Sequence, residues 1–98
     1  MASSSAMQVA QIHREAQILF EKKNKDYGDS WREYGLIGVL MRMGDKLRRA
    51  QQIGETQVTV VADEALRDTL IDLCNYAAMA VALMDEMEME AQEEGAED

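Results

Sequence analysis

The chain has 98 residues, one cysteine, no proline and a formal net charge of −9. That length fits one small domain, and a lone cysteine excludes an intrachain disulfide and suits a reducing, cytoplasmic setting. The opening MASSSAM has neither a basic nor an apolar segment of secretory type, and no apolar run approaches the ~18–20 residues of a membrane span.

The charge is unevenly placed. Residues 85–98 hold eight acids and no Lys or Arg, so the ten basic residues of the body face only eleven acids. A nearly neutral body with an acidic end disfavours duplex nucleic acid, whose phosphates demand a basic excess. Low aromatic content with abundant Ala, Met, Leu, Glu and Gln favours helices, and an all-α fold is expected.

Taken in chain order, residues 1–6 are expected to be disordered. A first helix is expected over residues 7–23, where Val9, Ile12, Ala16, Leu19 and Phe20 recur at helical spacing. It is followed by NKDYGDS, a run of turn formers in which Gly28 tolerates a left-handed backbone. Ser30 and Glu33 have the spacing of a capping box and can restart a helix. The second helix is expected over residues 36–52, with Leu36, Val39, Leu40, Met43, Leu47 and Ala50 on its apolar stripe and Gly54 as its stop. TQVTVV, residues 56–61, has strand propensity but no partner strand in the chain, and is expected to be an extended connection.

Asp63 then suits the cap of a third helix, with Glu64 in its first turn. Its expected stripe is Leu66, Thr69, Leu70, Leu73, Tyr76, Ala77, Ala80 and Met84. If it runs to about residue 90 it measures ~40 Å at 1.5 Å per residue. Two shorter helices cannot cover such a rod, so a homodimer or higher homo-oligomer completing the bundle is expected. The single helical domain thus spans 7–90, ahead of a disordered acidic tail at 91–98.

Several residues are candidates for chemistry. On the third helix Glu64, Asp68 and Asp72 recur every four residues and form one row, a repulsive arrangement unless something positive faces it. Asn75 continues that face. The row is either a solvated surface or a set of oxygen ligands for a hard cation such as Mg²⁺. On the second helix, RMGDKLRR sets Asp45 among Arg42, Lys46, Arg48 and Arg49, either as a salt-bridged surface or as a carboxylate among phosphate-binding cations. NKDYGDSW gathers Lys25, Tyr27 and Trp31, which either anchor a loop or meet a phosphate and a base. His13 has no catalytic company. Cys74, with no His or second Cys near it in sequence, is expected to be a buried, inert thiol.

The blocks KNKDYGDSW, GVLMRMGDKLRR and DEALRDTLIDLCNYA, in that order across residues 20–84, resemble the nucleotide modification associated domain family of phages and bacteria. That family is in turn similar to the MazG-like all-α nucleotide pyrophosphohydrolases, which hold Mg²⁺ with paired acids on two helices. The resemblance implies metal ligation by Glu64 and Asp68, with Asp72 added. Where those enzymes place two glutamates, this sequence offers Asp45 alone, and Glu64 and Asp68 are four apart rather than three.

The expectation that follows is a nucleotide-handling protein. In the enzymatic form, Mg²⁺ on Asp45, Glu64, Asp68 and Asp72 supports hydrolysis of a nucleotide phosphoanhydride, with Asp45, Glu64 and Asp68 as the catalytic acids. Lys25, Arg42, Lys46 and Arg49 would hold phosphates, and Tyr27, Trp31 and Asn75 would meet the rest of the substrate. The alternatives are a protein that binds or sequesters a nucleotide without turnover, and a helical interaction module.

Overall fold

A computed structural model describes residues 3–56 and 64–97. Its elements are α1 (Ser4–Tyr27), a short 3-10 helix (Ser30–Tyr34), α2 (Gly35–Thr56) and α3 (Glu64–Glu97). The fold is all-α, with no strand among the described residues. No described helix is long and apolar enough to cross a membrane.

The helices are longer than the sequence pattern suggests. α1 begins at Ser4, inside the segment expected to be disordered, because Ser3 caps it: its hydroxyl accepts the Ala6 N–H at 3.0 Å. It also runs through Asn24 and Asp26, weak helix formers that do not break a helix already propagating. The stop is Gly28, at φ 65°, whose N–H donates to the Asn24 carbonyl at 2.7 Å. Gly54 does not end α2, which continues to Thr56. α3 passes residue 90 and Gly95 and reaches Glu97, about 50 Å at 1.5 Å per residue. The expected acidic tail is therefore largely helical. Of the expected connection at 56–61, residues 57–61 lie outside the described residues, as does the expected cap Asp63.

The restart after Gly28 is a 3-10 turn rather than a capping box. Asp29, not Ser30, is its N-cap, and the Asp29 side chain makes no cap bond. Its carboxylate instead accepts Asn24 Nδ2 at 3.0 Å, and its carbonyl accepts the Arg32 N–H at 3.0 Å. Gly35, at φ 67°, then turns the chain into α2.

α3 is the central element, with α2 packed along one side and α1 against another. The core joins Val39, Ala80 and Leu83, with Trp31, Leu36, Met43, Tyr76 and Met79 packed around them. Ala16, Ala50 and Ile71 are also buried. Thr69 is buried because its hydroxyl donates to the Ala65 carbonyl at 2.7 Å, which leaves its methyl free to pack.

The buried face of α3 differs from the expected stripe. Ile71 and Leu83 are buried, whereas Leu70, Ala77 and Met84 are exposed, as are Leu40 and Leu47 of α2 and Val9 of α1. A helix flanked on two sides buries two arcs, and a single-stripe reading averages over them.

Candidate functional site

The turn between α1 and α2 folds back beside α3 and leaves a cleft of about 300 Å³. Its walls come from the end of α1 (Phe20, Lys23, Asn24, Tyr27), the turn (Gly28, Ser30, Trp31, Tyr34) and α3 (Asp72, Asn75, Tyr76, Met79). The local sequence accounts for this placement. Gly28 reverses the chain, the Asn24–Asp29 bond closes the turn, and the 3-10 segment aims Trp31 inward against Phe20. Those two rings meet edge to face, with centroids 6.2 Å apart.

Cations cover the aromatic rings around the cleft. The Arg32 guanidinium lies 4.5 Å from the Trp31 ring centre and also pairs with Glu86 of α3. Arg42 lies 4.4 Å from the Tyr34 ring centre, and Lys46 Nζ lies 5.9 Å from that of Tyr76. Two polar atoms in these walls, Trp31 Nε1 and Asn24 Oδ1, are buried without a hydrogen-bond partner among the described residues.

At one side of the cleft is a three-helix ion cluster. Asp72 of α3 accepts Lys23 Nζ of α1 on Oδ1 at 3.2 Å and Lys46 Nζ of α2 on Oδ2 at 3.0 Å. Its side chain is 18% exposed. Burial pushes the Asp72 carboxyl up, but the hydrogen bonds and charges of Lys46 and Lys23 outweigh it and hold the group below its usual range.

The expected site residues divide accordingly. Tyr27, Trp31, Asn75 and Asp72 line the cleft, and Lys46 and Arg42 reach its rim through Asp72 and Tyr34. Lys25 is exposed and does not line it, and Arg49 is exposed on the flank of α2 that carries Arg42 and Lys46. Asp68 is exposed and lines an adjoining groove with Glu15, Leu19, Arg67 and Ile71, which Lys23 and Asp72 border as well as the cleft. Glu64 opens α3, but its side chain lies outside the described ones.

Asp45 departs most from expectation. Its exposed carboxylate pairs with Arg48 one turn along α2. At 100° per residue Asp45 lies roughly 100° around the helix from Lys46, turned away from Asp72. Among the described residues its ion pair is within α2 and not with the third-helix row.

Among the described residues no three His, Cys, Asp or Glu side chains come together as an all-protein cage for a metal ion, whereas Mg²⁺ is commonly held by one or two carboxylates together with waters and substrate phosphates. Each oxygen of Asp72 is already engaged by an ammonium.

Sequence reasoning missed Lys23, Asn24 and Tyr34 as cleft residues and assigned Phe20 and Tyr76 to the core alone. Lys23 sits one helical turn before Tyr27, and that spacing was a usable signal once α1 is known to reach Gly28. Cys74 is half-buried rather than buried, and with His13 it lines a second, largely apolar groove of about 720 Å³ between α1 and α3.

No curated protein and no solved structure matches this chain. One family model does, over residues 23–84, described as nucleotide modification associated domain 1. The match opens at Lys23 and takes in every cleft residue except Phe20. With more than half of its length covered, the chain belongs to the nucleotide modification associated domain 1 family.

Proposed function

We propose that the cleft binds a nucleotide without help from a metal held by the protein's own carboxylates. One observation carries this reading: a cavity walled by Tyr27, Trp31, Tyr34 and Tyr76 has two lysines, Lys23 and Lys46, gathered at one side. Aromatic faces suit a flat base, and paired ammoniums suit a phosphate. Asn75 also lines the cleft, and its amide offers donors and an acceptor to a sugar or a base edge. A volume near 300 Å³ is at the small end for ligand sites, which favours a mononucleotide over a dinucleotide.

This is binding rather than hydrolysis. The hydrolytic expectation came from a resemblance to MazG-like enzymes, and of the acids it calls on, Asp45 pairs with Arg48 and Asp72 with Lys23 and Lys46.

The test is calorimetric titration of nucleoside mono- and triphosphates, with EDTA and with Mg²⁺. Binding in EDTA that is lost in Trp31→Ala, with intact ligand recovered after denaturation, supports the proposal. Phosphate or pyrophosphate release that needs Mg²⁺ and disappears in Asp68→Ala returns the hydrolase reading. Absence of binding by every nucleotide leaves a helical interaction module.

A further inference from the structure

We infer that the outer face of α2 and α3, on the side opposite the cleft, is the contact surface for a second copy of this chain, docked antiparallel about a two-fold axis. The inference is independent of the nucleotide reading. It begins from exposed apolar side chains that are arranged rather than scattered. On α3, Leu70 is 48% exposed, Val81 55% and Met84 55%. Ala77 between them is exposed, and Leu66 and Leu73 are half-buried.

At 100° per residue these six positions fall within an arc of roughly 80°. The cleft residues Asp72 and Met79 point to the far side of the helix, roughly 140–160° from the middle of that arc. On α2, Leu40 and Leu47 are 46% and 49% exposed and flank the buried Val39–Met43–Ala50 stripe. They lie on the side away from Lys46, so the stripes of the two antiparallel helices adjoin. A monomer has no use for this second stripe, because the first already meets the core.

Dimensions and charge select the occupant. The α3 stripe spans 18 residue steps, about 27 Å, and two helices side by side at 8–10 Å spacing present a face roughly 20 Å wide. That footprint, about 500 Å² before side-chain relief, is of the order of the ~800 Å² per partner found in stable dimers. The six stripe positions carry no charge, so two copies meet without a buried ion. Residues 85–98, with eight acids and no base, extend beyond the stripe. A parallel pairing sets the two acidic arms side by side, whereas an antiparallel pairing sends them to opposite ends. A closed two-fold contact then leaves both clefts open on the outer surfaces.

The test uses the full chain and measures mass by light scattering or sedimentation equilibrium. The wild type is expected at twice 11.0 kDa, and Leu70→Lys with Met84→Lys at the single-chain mass with its helical circular dichroism retained. Ile18→Lys alters an exposed apolar residue of α1 away from this face and should leave the dimer intact. Where the double variant loses helicity, a Cys74→Ser, Ala77→Cys protein provides the second readout. Near the two-fold axis Cys at 77 should oxidise to a covalent dimer, whereas Cys placed at Met89 on the acidic arm should not. A monomeric wild type, a dimer indifferent to both lysines, or cross-linking at position 89 instead of 77 overturns the proposal. Nucleotide binding does not enter these readouts, so its failure is a separate result.

Discussion

Replacing Asp72 by Asn separates the two accounts of the acidic row, because they predict opposite signs. In the cleft geometry Asp72 is an internal anion that occupies Lys23 and Lys46, at 3.2 and 3.0 Å. A phosphate bound to the same ammoniums would lie roughly 5 Å from that carboxylate, two ammonium–oxygen contacts of ~3 Å meeting at a tetrahedral angle. A dianion and a carboxylate at that distance repel by about 1.7 kcal/mol even with the dielectric of bulk water. Salt at 0.15 M, with a Debye length near 8 Å, removes about half of this. Since each ~1.4 kcal/mol is tenfold, Asp72→Asn should bind a phosphate dianion about four- to fifteen-fold more tightly, most clearly at low salt. The same substitution removes two charge-assisted bonds, each worth about 1.5–3 kcal/mol at most, and should lower Tm by several degrees. Calorimetric titration of a nucleoside monophosphate at two salt concentrations, paired with thermal melts, gives both numbers. Weaker binding in Asp72→Asn, above all if wild-type binding requires Mg²⁺, refutes the lysine clamp and makes Asp72 a metal ligand.

Three further outcomes follow from the same geometry. The folded-state pKa of Asp72 is depressed, so its stabilising contribution is complete above the ordinary carboxylate range near 3.9 and lost as pH falls through the lower folded value; acid melts should show the wild type losing its advantage over Asp72→Asn below about pH 4. A Cβ on Gly38 would stand 2.8 Å from Tyr34 Cβ, so Gly38→Ala should destabilise in urea by about 1–3 kcal/mol of strain, less the ~1 kcal/mol that Ala gains over Gly in a helix; a net gain in stability shows that the start of α2 yields freely. Trp31→Phe keeps the contact with Phe20 and removes a buried indole N–H that has no partner among the described residues, so chemical denaturation should find it less costly than Trp31→Ala by at least ~1–2 kcal/mol.

Much of the architecture was readable from the sequence, and the errors have physical causes. Helical periodicity located α1, α2 and α3, but the ends were set by caps. Gly28 terminates because its positive φ and its bond to the Asn24 carbonyl close the helix, while Gly54 lacks such a closure and α2 passes through it. Leu40, Leu70 and Met84 fit a core stripe by spacing, yet they are exposed, since periodicity reports that a face is apolar and not which chain covers it. Asp45 shows the same limit for charge. Its neighbours in RMGDKLRR suggested a carboxylate held among phosphate-binding cations, but adjacency in sequence turns a helical side chain by 100°, and Arg48 is the partner that the i,i+3 position provides. The aromatic cleft was half legible: NKDYGDSW marked Tyr27 and Trp31, whereas Tyr34, Tyr76 and Lys23 join them only once the turn has folded back onto α3.

The acidic row on α3 therefore divides by environment rather than acting as one unit. Asp68 is exposed at a groove that Asp72 and Lys23 also border, and the like-charge cost of its spacing is dispersed in water there. Asp72 is drawn between α1 and α2 and is answered by one lysine from each. Its half-buried carboxylate requires those partners, because removing either ammonium leaves charge in a partly desolvated place. The same constraint gives the cleft its character. Lys23 and Lys46 can be held together beside Tyr76 and Asn75 only because an anion sits between them, and without one their like charges would repel. On the proposed reading a ligand phosphate is the external group that takes up that role, beside the contact that ties three helices together.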